Sequence, residues 1–188
     1  MKADSARRDA LMASLRGLAW VLLPPTGLAL SACQARDGAV MQALPPAQRP
    51  ALPGFSYSLL DGRRQSSGDL RGQVVLVNFW ATTCGVCVTE MPLLAATQLQ
   101  FGAQGYRTLA VAMPYDPPAL VVDFARRRSL PFDVVIDPTG AVVRAFGDVH
   151  GTPSHVVLDR QGRVAARFQG ATTAQALHPL ITGLLAEA

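Results

Sequence analysis

Four residues, Cys84-Gly85-Val86-Cys87, come just after the apolar run Val74-Val75-Leu76-Val77-Asn78-Phe79-Trp80, with Ala81-Thr82-Thr83 between. The apolar continuity of that run reads as a strand buried on both faces, and the residues from about Gly85 read as a helix. The two thiols therefore stand at a strand-to-helix junction, one helical turn apart. There the helix points its unpaired N–H groups and positive dipole end at Cys84, which favours thiolate over thiol. A thiolate is the nucleophile of disulfide exchange, and Cys87 can resolve the mixed disulfide that Cys84 makes. The same spacing is half of a zinc knuckle, but a zinc site needs a second Cys or His pair. Cys33, His150, His155 and His178 do not supply one. The reading is a redox-active disulfide, Cys84–Cys87, working without a cofactor or a metal.

The N-terminus places that chemistry in a compartment. Residues 1–32 open with Lys2, Arg7, Arg8 and Arg16, continue through a mostly apolar stretch from Gly17 to Leu30, and reach Leu30-Ser31-Ala32-Cys33. This is a secretory signal pattern ending in a lipobox-like motif, so Cys33 is the expected lipidation site and the protein is expected in the periplasm, attached to a bacterial membrane. Pro24 and Pro25 argue against a spanning helix. Residues 33–51, with Pro45, Pro46 and Pro50, read as an extended tether, leaving 52–188 as the folded domain. Outside the cytoplasm a thiol pair has to be actively oxidised or reduced. The chain holds 17 Lys+Arg and 13 Asp+Glu. Four and two of these fall in residues 1–32, and the remaining net charge of +2 is too small to suggest nucleic-acid binding.

Along the domain the pattern predicts a short strand over 55–60 with a turn at Asp61-Gly62, then strand 73–79, helix 85–104, strand 107–113 and helix 118–128. Strand 133–136, a short helical piece 141–146, a hairpin of 154–158 with 163–169, and a closing helix 173–186 follow. The order β, βαβ, αβ, ββα implies an α/β fold with a mixed central sheet and helices on both faces.

Several further pieces converge with the CxxC. They are Leu59-Leu60-Asp61-Gly62 before Asp69-Leu70-Arg71-Gly72, the strand ending Asn78-Phe79-Trp80-Ala81, Glu90 and Pro92 beyond the cysteines, and Gly151-Thr152-Pro153 at the start of the late hairpin. Together they resemble the TlpA/ResA-like branch of membrane-tethered thiol-disulfide oxidoreductases, within the thioredoxin superfamily. The resemblance implies a thioredoxin-like fold and a cis peptide bond before Pro153, presenting the Thr152 backbone to a substrate chain. It implies that Glu90, one turn beyond Cys87, tunes the thiols or shuttles protons. Ordinary thioredoxins carry a buried Asp where this chain has Asn78, so the proton role passes to Glu90 or water.

Thr83 stands where Trp is usual in these groups, making the surface beside the nucleophile smaller and more polar. Trp80 is expected under the active-site loop, as core or as a substrate contact. His150 or His155, flanking Pro153, could approach the CxxC, where an imidazolium would favour thiolate. Pro92 is expected to kink the active-site helix.

The activity so implied is reduction of protein disulfides, with a membrane electron donor restoring the dithiol; cytochrome c maturation or copper-site thiols supply candidate substrates. Two alternatives stand beside it: a disulfide donor, which would have a strongly oxidising potential, and a copper chaperone using the Cys pair and a His.

Overall fold

A computed structural model describes residues 41–147 and 149–187; the expected signal segment, Cys33 and the first part of the expected tether lie outside the described residues. The strands are β1 (Ser56–Ser58), β2 (Arg64–Ser66), β3 (Val74–Trp80), β4 (Tyr106–Ala112), β5 (Asp133–Ile136), β6 (Ser154–Leu158) and β7 (Val164–Gln169). The helices are α1 (Gly85–Phe101), α2 (Pro118–Arg127), α3 (Ala141–Ala145) and α4 (Ala174–Ala186).

Strands β3 to β7 form one sheet in the order β5-β4-β3-β6-β7. The first three run parallel, whereas β6 is antiparallel to β3 and β7 to β6. All seven residues of β3 are buried, as befits the middle strand of a sheet covered on both faces. Alternation along β3 sorts its side chains. Val74, Leu76 and Trp80 join the core formed with α1, α2 and α4. Val75, Val77 and Phe79 join the other core, with Phe55, Tyr57, Leu70, Val142 and Phe146. That second face is covered by the β1–β2 hairpin, a short 3-10 turn and the single turn α3 rather than by long helices.

Two elements differ from the sequence reading. Strand β2 was not expected: Arg64-Gln65-Ser66 has no apolar alternation, and it exists because the Asp61-Gly62 turn returns it against β1. Gly62 sits at φ 85°, a conformation glycine adopts without penalty. The second difference is the stretch 33–51, read as a tether. Its described part is docked on the domain. The Leu44 amide donates to the Ala165 carbonyl, the Pro50 carbonyl accepts from the Val164 amide, and Ala51 bridges Arg163. Arg49 is buried, pairing with Asp159 at 3.2 Å and Glu187 at 2.5 Å. The prolines made this segment look unstructured, yet its unpaired backbone groups cover the open edge of β7, which would otherwise invite pairing with another chain.

Candidate active site

The C-terminal end of β3 organises the site. Parallel strands bring their carboxyl ends to one side, and the antiparallel β6 begins there, since Phe79 faces Ser154. The loop leaving β3, the loop leaving β4 and the Gly151–Pro153 entry to β6 therefore share one rim. The loop after β4 is tied to the active-site loop by Asp116, which is buried. Its carboxylate accepts from the Thr82 amide at 2.6 Å and the Thr82 hydroxyl at 2.5 Å, while Met113 N–H donates to the Trp80 carbonyl. These bonds hold the turn that delivers Cys84. Asp116 escaped sequence reasoning; the available signal was an Asp just past the carboxyl end of the strand next to the active-site strand.

Cys84 and Cys87 form a disulfide with Cα atoms 5.2 Å apart. Cys84 is the N-cap of α1, and its sulfur accepts from the Cys87 amide at 3.2 Å. The two sulfurs differ in access: Cys84 is partly exposed and Cys87 is 1% exposed. Cys84 is therefore the sulfur open to another molecule, whereas Cys87 lies beneath it. Val86 and Thr83 beside them are exposed. A depression of about 390 Å³ opens next to Thr82 and Thr83, lined also by Leu120, Phe124 and Arg128, with the Arg128 guanidinium 5.4 Å over the Phe124 ring.

The Thr152–Pro153 peptide bond is cis, and Thr152 is partly accessible at the rim. Trp80 corrects an expectation. It is fully buried, packed on Phe124 at 5.1 Å between ring centroids, and belongs to the core beneath the loop, so it cannot contact a substrate. As the last residue of β3 it falls on the α1 and α2 face by strand alternation, which puts it under the loop rather than beside it. Pro92 lies inside α1, which runs unbroken from Gly85 to Phe101.

Glu90 is buried on the same face of α1 as Cys87. One carboxyl oxygen accepts from the Thr172 amide at 2.8 Å, just before the N-cap of α4. The other lies 3.1 Å from Nε2 of His155. That same Nε2 lies 3.1 Å from the Asn78 amide nitrogen, because Asn78 and His155 are direct partners across β3 and β6. Of the two histidines flanking Pro153, it is His155, fully buried and stacked on Phe168 at 4.5 Å, that joins Glu90.

The family described as Redoxin matches residues 46–179. The chain is 36% identical over 121 residues to the thiol-disulfide oxidoreductase ResA of Geobacillus thermodenitrificans, covering 64% of this chain and 68% of that protein. It is 31% identical over 126 residues to the thiol-disulfide oxidoreductase ResA of Bacillus subtilis, covering 67% and 69%. Among solved structures, a secreted thiol-disulfide isomerase from Corynebacterium glutamicum matches with a TM-score of 0.71 at 25% identity, covering 81% of this chain and 96% of that one. A thiol:disulfide interchange protein of the thioredoxin family from Chlorobium tepidum gives 0.68 at 25% identity, covering 75% and 99%. The fold is thioredoxin-like.

Proposed function

The chain belongs to the redoxin family and is a thiol-disulfide oxidoreductase that works through a redox-active disulfide, and on that premise we propose that it is a membrane-tethered reductase of protein disulfides outside the cytoplasm. The observation that carries the direction is the buried carboxyl of Glu90, one turn beyond the buried sulfur of Cys87. A group that stabilises the thiolate of the reduced form raises the potential and makes an oxidant; a carboxylate opposes thiolate and favours the disulfide.

In the proposed cycle Cys84 thiolate attacks a substrate disulfide. Cys87, losing its proton to Glu90, then attacks Cys84 Sγ, and the substrate leaves as a dithiol. A dithiol donor in the membrane restores the enzyme. Thr83, the Thr152 backbone, Pro153 and the depression beside Leu120 and Phe124 form the surface on which the substrate chain lies. Apocytochrome c cysteines or copper-site thiols are the candidate substrates.

Equilibration with glutathione tests the direction. The expected potential is near the thioredoxin value of about −270 mV, and a value above about −180 mV would make the protein a disulfide donor instead.

Tethering rests on the sequence of residues 1–33. Intact-mass analysis of the membrane fraction is expected to find a protein that begins at an acylated Cys33, and Cys33→Ala is expected to block that processing. A membrane species that still carries residues 1–32 overturns the lipid anchor while leaving the redox assignment intact.

A further inference from the structure

We propose that His155 is the positioning residue of the proton acceptor: it holds Glu90 beside the redox pair and shares its proton, with the Asn78 amide following. This rests on the exchange cycle above and on Glu90's place in it. Three observations carry it.

First, one atom serves two partners. His155 Nε2 lies 3.1 Å from both Glu90 Oε2 and Asn78 Nδ2. With the amide nitrogen toward it, Nε2 accepts and the proton on the Glu90–His155 line belongs to the carboxyl. With the amide turned by half a rotation, Nε2–H donates to a bare carboxylate and to Asn78 Oδ1. An amide presents a donor at one end and an acceptor at the other, so Asn78 fits either placement. The aspartate of ordinary thioredoxins at this position has no donor when ionised.

Second, the imidazole has no other polar occupation. Its Nδ1 is buried without a hydrogen-bond partner, as is Asn78 Oδ1. Orphaned buried polar atoms are rare because each loses its hydration without a replacement. An apolar side chain would pack at this strand position without that loss. The ring is held by stacking on Phe168, at 14° between planes, and its hydrogen bonding is directed wholly into the site.

Third, no competing charge faces the pair among the described residues. β3 presents Asn78, β7 presents Phe168, and the 170–173 loop presents the Thr172 amide. α1 presents Glu90 and the cysteines. Arg167 is paired opposite Val156 and so projects from the other face of the sheet. His178 of α4 is bonded to Thr97, two turns beyond Glu90. Among the described residues the pair thus stands beside the cysteines with no other charged side chain bonded to it.

In the resolving step the Cys87 S–H proton passes to the Glu90–His155 pair. The Cys87 thiolate attacks Cys84 Sγ, the Cys84–Cys87 bond forms, and the bond from Cys84 to the substrate sulfur breaks. Both electrons of the broken bond leave with the substrate thiolate, which takes a proton from water. Reduction by the dithiol donor runs the same transfers backwards.

The test is the pH profile of Cys84 alkylation by iodoacetamide in the reduced full-length protein. Glu90→Gln removes the negative charge and is expected to move the profile to lower pH. His155→Phe keeps the ring and its stack but removes both nitrogens, leaving Glu90 only the Thr172 amide, so the carboxyl keeps its proton. Its profile is expected to move the same way, with alkylation near neutral pH faster by roughly tenfold. The double variant is expected to be no faster than Glu90→Gln, since both act through one group.

A folded His155→Phe whose profile superimposes on wild type overturns the inference, as does an additive double variant. Should His155→Phe not fold, the ring 15N shifts of His155 in wild-type protein decide: Nε2 must respond to reduction of the disulfide, and an unmoved signal overturns the inference. Wild-type protein that fails to exchange with oxidised glutathione would instead remove the underlying function.

Discussion

Cys87→Ala is expected to stop the cycle at the mixed disulfide, with turnover falling to background and substrates accumulating covalently on Cys84. The reason is the division of labour between the two sulfurs. Cys84 is partly exposed at the N-terminus of α1, where the helix dipole and the Cys87 amide favour its thiolate. Alanine at 87 keeps that amide and removes only the buried thiol that would release the product. Cys84→Ser is expected to abolish both turnover and trapping, because Cys87 has almost no access to a substrate. Non-reducing electrophoresis with mass spectrometry of the trapped bands measures both. Trapping on Cys87 in the Cys84 variant would reverse the assignment of roles, and no trapping by Cys87→Ala would move weight to the copper-chaperone alternative.

Arg49→Met is expected to destabilise the domain by about 2–4 kcal/mol, a large share of a small domain's stability. Arg49 and Asp159 are both buried, at 1% and 2% side-chain exposure. Arg49 also grips the Glu187 carboxylate with two guanidinium nitrogens and donates from Nε to the Leu44 carbonyl at 2.8 Å. One side chain thus fastens the strap 44–51 to the β6–β7 turn and to the C-terminal end of α4. The loss stays moderate because Asp159 still accepts from the Arg163 guanidinium at 2.8 Å and from the amides of Gln161 and Arg163.

The acid dependence of this clasp has a definite sign. Burial pushes the Asp159 carboxyl upward, but the Arg163 amide and guanidinium together with Arg49 outweigh it and hold it below the usual carboxylate range. The hydrogen bond from Arg49 likewise holds Glu187 low. Carboxyls lowered in the folded state add stability that is complete above their unfolded values, about 3.9 and 4.3, and that is lost as pH falls through the folded ones. Glu187, more than a third exposed, contributes the smaller part. Wild-type thermal stability is therefore expected to fall below about pH 4.5, and the fall to be shallower in Arg49→Met. Equal slopes in the two proteins would show that the clasp does not carry the acid sensitivity.

The long elements were legible because local chemistry decides them. β5 and β6 match their expected limits, and β3, α1, β4, α2 and α4 lie within a few residues of theirs. Each rests on apolar periodicity, a cap or a proline. Strand β2 was not legible, since three polar residues become a strand only when a turn supplies a partner. The docked strap was not legible for a related reason: three prolines look like a free tether until the open edge of β7 needs covering.

The cysteine pair and its setting at the end of β3 were set by the sequence alone, because a strand, a CxxC and a helix follow one another in the chain. So was the candidacy of Glu90, one turn along the same helix. Tertiary structure decided everything that depends on which residues meet across the sheet. The register of β3 against β6 puts Asn78 opposite His155, 77 residues apart, and α1 brings Glu90 to His155. The packing of α1 against the sheet sinks Cys87 while leaving Cys84 at the surface, and it decides for Trp80 between the two expected places, core and substrate contact, in favour of the core. Local sequence fixes φ, ψ and periodicity over a few residues; long-range burial and strand register are fixed only when the whole core closes, and the proton chemistry proposed for this site depends on those contacts.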